Sequence, residues 1–301
     1  MNGIVHYTSC PVCNSTSIHP LLTVKDESVS GEQFVIWQCE QCSLRFTQDV
    51  PDETSIGPYY KSPDYISHTN INKGLLNKLY QGVRNFTLNQ KANLLIHTTG
   101  LKQGSMLDVG CGIGAFINVM KNKGWQVEGA EPDEDARRLA KELFQLSIKQ
   151  PSALFDFRPS SFDAISLWHV LEHVHDLHNY VEQLKTLLKE NGQLFIAVPN
   201  YQSLDSEIYR LKWAAYDVPR HLYHFTPQAI QVLMKQHGMK VTAKKPMWFD
   251  SFYISLLSSK YRNGYTNWLG AAISGLRSNL KALMNKDRCS SLIYIITKNT
   301  D

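Results

Sequence analysis

Residues 107–116 read Leu107-Asp108-Val109-Gly110-Cys111-Gly112-Ile113-Gly114-Ala115-Phe116: an apolar run breaks into a glycine-rich turn, and the turn opens an amphipathic helix. Glycines at such a strand-to-helix turn reach positive φ without steric cost and let the backbone approach a ligand closely. Gly110, Gly112 and Ala115 also satisfy the G-x-G-x-x-G/A pattern of dinucleotide sites, so the turn alone does not choose its ligand.

Charge separates the two readings. A nicotinamide cofactor lays its pyrophosphate over this turn, and Asp108, two residues before the first glycine, would repel it. A ligand without phosphate that carries an ammonium and a sulfonium, as S-adenosylmethionine does, tolerates a nearby negative charge. A second carboxylate, Glu131, follows the next apolar run, where it suits the two hydroxyls of a ribose. Asp133 reads instead as the N-cap of the following helix.

On both sides of the turn, short apolar runs alternate with amphipathic helices, which is the pattern of βαβ units and a doubly wound, mostly parallel α/β sheet. Strands are expected at 106–109, 126–130, 162–167, 193–198, 239–243 and 292–297, and helices at 75 to about 98, 115–123, 133–146 and 176–190. Ahead of these lie a cysteine-bearing module (1–50) and a Pro-rich linker (51–74). The domain then runs from 75 to 301, with insertions at 200–225 and 249–288.

The segments LDVGCGIGAF, VEGAEPD, FDAISLWHVLEHV and GQLFIAVPN, in this order and spacing, resemble the successive motifs of class I S-adenosylmethionine-dependent methyltransferases. The resemblance covers residues of about 105 to 245 and implies a Rossmann-like sheet of seven strands in the order 3-2-1-4-5-7-6, the last strand antiparallel. It further implies that Asp108, Gly110, Gly112 and Gly114 hold the methionine end of S-adenosylmethionine and Glu131 its ribose, with Trp168 counted in the same site.

Methyl transfer from a sulfonium is an in-line displacement, so the protein mainly orients the acceptor and, where needed, removes a proton. Trp168-His169-Val170-Leu171-Glu172-His173 follows a strand and gathers three ionisable groups; His169 and His173 share a face if the segment is helical. The quieter alternative is that these groups cap a helix or bind the cofactor. Some O-methyltransferases of quinone biosynthesis bind a divalent cation here through Glu-x-x-Glu-His; Glu172 and His173 match that motif and His169 departs from it. A later loop, Tyr216-Asp217-Val218-Pro219-Arg220-His221-Leu222-Tyr223-His224-Phe225-Thr226-Pro227, resembles the acceptor-facing loop of methyltransferases in bacterial glycan and natural-product pathways. Thr226 reads as a helix cap, and His221 joins His169, Glu172 and His173 as a candidate for acceptor orientation or proton removal.

Cys10-x-x-Cys13 and Cys39-x-x-Cys42 have the spacing of two knuckles around one tetrahedral Zn²⁺, a closed and therefore structural site in a zinc-ribbon-like module too small to build its own core. With the linker motif GPYYKSPDY, this layout is similar to sugar-modifying methyltransferases that carry an N-terminal zinc-binding domain. The net charge of +4 is spread out and gives nucleic acid no support. No signal-like start or long apolar span stands out, and Cys pairs suit a reducing compartment, so the expected location is the cytoplasm. Residues 248–281 mix large apolar side chains with cations; that fits peripheral membrane contact, and equally core packing or a homodimer surface. The expected function is methylation of a small-molecule acceptor such as a sugar, a glycan or another biosynthetic intermediate. The competing readings are a zinc-ribbon RNA methyltransferase, an NAD-dependent oxidoreductase and an idle binding module.

Overall fold

The computed structural model describes residues 3–61 and 75–299, with side chains of the first long helix described from residue 82. Part of the expected linker, 62–74, lies outside the described residues. In chain order the elements are β1 (Ile4–Val5), β2 (Ile18–Lys25), β3 (Gln33–Cys39), β4 (Arg45–Thr47), β5 (Val50–Pro51), α1 (Leu75–Thr99), β6 (Ser105–Val109), α2 (Ala115–Asn122), β7 (Gln126–Ala130) and α3 (Glu134–Phe144). There follow β8 (Phe162–Trp168), α4 (Leu177–Leu187), β9 (Leu188–Pro199), α5 (Leu204–Tyr209), β10 (Tyr223–His224), α6 (Pro227–Gln236), β11 (Met239–Pro246), α7 (Asp250–Asn263), α8 (Trp268–Met284) and β12 (Ser291–Lys298).

The main sheet has six strands among the described residues, in the order β11-β12-β9-β8-β6-β7, rather than the seven that the resemblance implied. β6, β7, β8 and β9 run parallel, and β12 is antiparallel to both β9 and β11. Where a seventh strand would flank β7 there is a single parallel bridge, Ala130 to Lys149. The chain passes from there into a one-turn 3-10 helix at Pro151–Phe155, which cannot extend a ladder. The core strands are apolar on both faces: Leu194, Phe195, Ile196, Ala197 and Val198 of β9 are all fully buried, as a parallel sheet sandwiched by helices requires.

Two boundaries differ from expectation. α4 stops at Leu187 and residues 188–190 join β9, because Leu188 pairs with Phe162 at the start of β8. The helix expected to reach 146 ends at Phe144, while Asp133 caps its start as expected, its carboxylate accepting from the Ala136 N–H at 2.8 Å.

The N-terminal residues form a second sheet, β10-β4-β3-β2, whose edge strand comes from the late loop: Tyr223 pairs with Phe46 and His224 with Arg45. Val12, Leu44 and Phe46 share one apolar cluster with Leu222, Phe225 and Leu233, so the two sheets are joined through common core. No helix among the described residues is long and apolar enough to cross a membrane.

Candidate functional site

β6 and β7 end side by side, Val109 opposite Ala130, which brings Asp108 and Glu131 to one carboxyl edge of the sheet. The turn after β6 is folded onto β7 by the Gly110 and Cys111 N–H groups, both donating to the Ala130 carbonyl at 2.7 and 3.2 Å. Gly110, Gly112 and Gly114 have φ of 67°, 54° and 76°. A Cβ on Gly110 would lie 2.4 Å from Val170 Cγ2 and one on Gly114 2.8 Å from Leu146 Cδ1, whereas one on Gly112 would meet nothing among the described residues within 4 Å. Packing thus explains two of the glycines. Gly112 faces open space, which is where a ligand can approach the backbone.

The Glu131 carboxylate accepts from the Gly112 N–H at 2.8 Å and the Asp133 N–H at 3.0 Å. Asp108 is 1% exposed and accepts from Ser166 Oγ at 2.6 Å. Burial pushes its carboxyl up to about 7; Ser166 and the Lys91 charge oppose that, and Glu131 adds to it. Lys91, from α1, stands with its Nζ 4.3 Å over the Trp168 ring. Burial lowers the Lys91 pKa against the charges of Asp250 and Asp108. Trp168 rests edge-on against Phe116, and its indole N–H is buried with no partner among the described residues. Two buried acids around an open glycine fit a cationic, phosphate-free ligand and disfavour a pyrophosphate.

Beyond β8 the segment is not a helix. His169 has φ 60°, a left-handed conformation, and only a 3-10 turn follows at Leu171–His173. His169 and His173 therefore part rather than share a face. His169 faces two carboxylates, Nε2 to Asp250 at 2.9 Å and Nδ1 to Glu172 at 3.4 Å. Burial alone would lower its pKa, but the bonds to Asp250 and Glu172 outweigh it and hold the imidazole up to about 10, as a cation at neutral pH.

His173 and His221 meet edge to face with centroids 4.7 Å apart. His173 Nδ1 is 2.9 Å from the Arg220 carbonyl and His221 Nδ1 is 2.9 Å from the Ala215 carbonyl. A carbonyl only accepts, so each Nδ1 carries a proton directed at it. Glu172 is fully buried, and apart from the 3.4 Å approach of His169 Nδ1 its oxygens have no hydrogen-bond partner among the described residues. Glu172, His173 and His221 bring one ligand atom each within 4.8 Å of one another. Burial, reinforced by His221, lowers His173 to about 4, so it is neutral at pH 7. Burial opposes ionisation of Glu172, but the bond from cationic His169 leads the groups that hold its pKa below the usual carboxylate value. Neutral, with its proton on Nδ1, His173 presents an Nε2 lone pair beside Glu172 and His221.

The loop that supplies His221 is held from three sides. Arg220, 2% exposed, donates to Asp26 at 2.9 Å, to Asp217 at 2.6 Å and to the Tyr59 carbonyl at 2.7 Å. Thr47 Oγ1 donates to the His221 carbonyl at 2.7 Å and the Leu222 N–H to the Glu172 carbonyl at 2.8 Å. Thr226 caps α6 as expected, accepting from the Ala229 N–H at 3.0 Å. Asp250, Lys91, Ser166 and Asp26 escaped sequence reasoning. They come from separate elements, and no local spacing links any of them to the motif it joins.

Cys10, Cys13, Cys39 and Cys42 place their four sulfurs within 4.8 Å of one another, the pairs Cys10–Cys42 and Cys13–Cys39 at 3.5 Å. Four thiolates at ~2.3 Å from one Zn²⁺ would stand about 3.8 Å apart in a tetrahedron, so the donor set fits that ion.

Residues 84–244 match the family model described as Methyltransferase domain. Two curated relatives are ubiquinone biosynthesis O-methyltransferases: that of Idiomarina loihiensis is 33% identical over 111 residues, 35% of this chain and 46% of its own length. That of Glaesserella parasuis is 36% identical over 114 residues, 34% of this chain and 48% of its own. The chain thus spans about half the length of the curated relatives it matches. Among solved structures, the PH0226 protein of Pyrococcus horikoshii superposes with a TM-score of 0.50 at 16% identity, covering 80% of this chain and 98% of that one, a likeness of fold. With its family model spanning the whole run from the helix before the glycine turn to the late strand β11, the chain belongs to the methyltransferase-domain family.

Proposed function

We propose that this protein is an S-adenosylmethionine-dependent methyltransferase whose acceptor is a small molecule, a sugar, glycan or other biosynthetic intermediate. The observation that carries the reading is the pairing of an open, acid-flanked glycine turn with the close cluster of Glu172, His173 and His221 at the same edge of the sheet. In this reading Asp108, Gly110, Gly112 and Gly114 receive the methionine end, Glu131 the ribose, and Trp168 borders the site. Bound S-adenosylmethionine supplies the electrophilic methyl group. His169, cationic between Asp250 and Glu172, orients Glu172 rather than acting as a base. Neutral His173 offers its Nε2 lone pair to the acceptor's proton, His221 stands ring to ring beside it to orient the acceptor, and Glu172 balances the charge that then develops. The same three side chains form a ligand set for a divalent cation, and loss of turnover with EDTA at an unchanged melting temperature would select that variant of the site, since loss of the structural zinc lowers both.

Cys10, Cys13, Cys39 and Cys42 would hold one structural Zn²⁺. We read 1–50 as the zinc module, 51–74 as a linker and 75–301 as the catalytic domain; β10 and Arg220 then tie the module to the acceptor loop.

The test is methyl-labelled S-adenosylmethionine with purified protein and a metabolite extract from a strain lacking it. Label is expected in a small-molecule product, and His173→Ala and His221→Ala should end turnover while S-adenosylhomocysteine still raises the melting temperature. Label recovered in RNA, or stabilisation by NADH instead, would overturn the proposal.

A further inference from the structure

α8 packs by its small side. Ala271, Gly275, Ser278 and Ala282 are its buried positions, and a Cβ on Gly275 would lie 2.7 Å from a ring carbon of Phe252 on α7. Ser278 Oγ donates to the buried Asp205 of α5 at 2.7 Å. The large side chains consequently turn outward: Trp268 is 66% exposed, Leu269 73%, Leu276 54%, Leu283 68% and Met284 84%, and Ile273 and Leu280 lie between them, half exposed. At about 100° per residue these positions fill an arc of about 160° around the helix, far wider than the seam of a two-helix contact. A contiguous apolar surface of several hundred Å² is at the limit of what an unpartnered soluble protein shows.

Charge identifies what covers it. From residue 251 to 286 there is no Asp or Glu, while Lys260, Arg262, Arg277, Lys281 and Lys286 bring five cations. Arg277, Lys281 and Lys286 are exposed, the first two along one border of the apolar arc and the third just past its end. The acids on the elements packed against α8 are engaged elsewhere: Asp250 with His169, Asp287 with Lys244, Glu207 with Arg288, and Asp205 with Trp213, Ser278 and Ser290. A two-fold contact of this face with a second copy would set cations against cations. An apolar face bordered by cations, with Trp268 at one end, is the pattern of a helix lying in a lipid interface.

We propose that α8 docks this protein onto an anionic membrane surface, its apolar arc entering the acyl boundary and Arg277, Lys281 and Lys286 meeting acidic headgroups. The ridge runs out at the functional edge of the sheet: Met284 leads to Ser291, which pairs with Pro199 at the carboxyl end of β9, and α7 begins at Asp250 beside His169.

The experiment is co-sedimentation of the full chain with phosphatidylcholine vesicles with and without phosphatidylglycerol, at low and high salt. Binding is expected only to the phosphatidylglycerol vesicles and should fall as salt screens the headgroups. Arg277→Gln with Lys281→Gln should weaken it roughly 30-fold. Leu276→Ser with Leu280→Ser should abolish it, with unchanged circular dichroism and melting temperature showing that the fold persists. Failure of the unaltered protein to pellet at low salt, or pelleting equally well in both pairs of variants, overturns the proposal. So does a dimer in sedimentation velocity that the leucine variants dissolve, since a second copy then covers the arc.

Discussion

Asp108 gives a quantitative handle on the cofactor reading. It is 1% exposed, and burial raises its carboxyl from 3.8 to about 7 despite Ser166 and Lys91. A folded pKa above the unfolded one means that this group's contribution to stability is complete below 3.8 and is lost as pH rises to about 7. A ligand that brings an ammonium to Asp108 prefers the ionised form, so its binding must release a proton wherever Asp108 starts protonated. With a pKa of about 7, apparent affinity falls about tenfold from pH 8 to pH 6 and about 100-fold by pH 5, that is about 1.4 kcal/mol per unit once well below the pKa. Glu131, also raised by burial, steepens the acid end. Titration calorimetry with S-adenosylhomocysteine in buffers of different ionisation enthalpy should show about 0.9 proton released at pH 6 and about 0.1 at pH 8. Asp108→Asn should flatten this dependence and weaken binding at pH 8. An affinity independent of pH between 5 and 8, or proton uptake on binding, would refute the placement of Asp108 against the ligand's cation.

Two further outcomes test the scaffold. Metal analysis of purified protein should find about one zinc per chain, and Cys39→Ser or a chelator should lower the melting temperature and the turnover together, because β4 carries β10 and the His221 loop; a zinc-free chain with unchanged melting would refute this. Arg220→Met leaves the buried Asp26 without its cation and should destabilise the fold by about 3–5 kcal/mol in urea unfolding, with Asp26→Asn recovering part of the loss; a shift in midpoint within error would show that the network is not structural.

Much of the fold was legible because its signals are local. The strand-turn-helix at 105–122, the helix caps at Asp133 and Thr226 and the apolar runs of the sheet are each written within a few residues. The seven-strand count came from resemblance and failed at 147–155, where one bridge and a 3-10 turn stand in for a strand. The expectation that His169 and His173 share a face failed because a single left-handed residue redirects the chain, and no pattern announces that.

By itself the sequence determined which residue types stand at the ends of the strands: the glycines and acids of the turn, the Trp168–His173 run and the two cysteine pairs. Only the tertiary structure decided the partners that set their chemistry. His169 is a cation because Asp250 arrives from α7, and His173 is neutral because burial and His221, from a distant loop, oppose its charge. α8 is amphipathic in sequence, yet which of its faces is covered depends on α5 and α7 offering room only for small side chains. Protonation and burial are properties of neighbours in space, and those neighbours lie far apart along the chain.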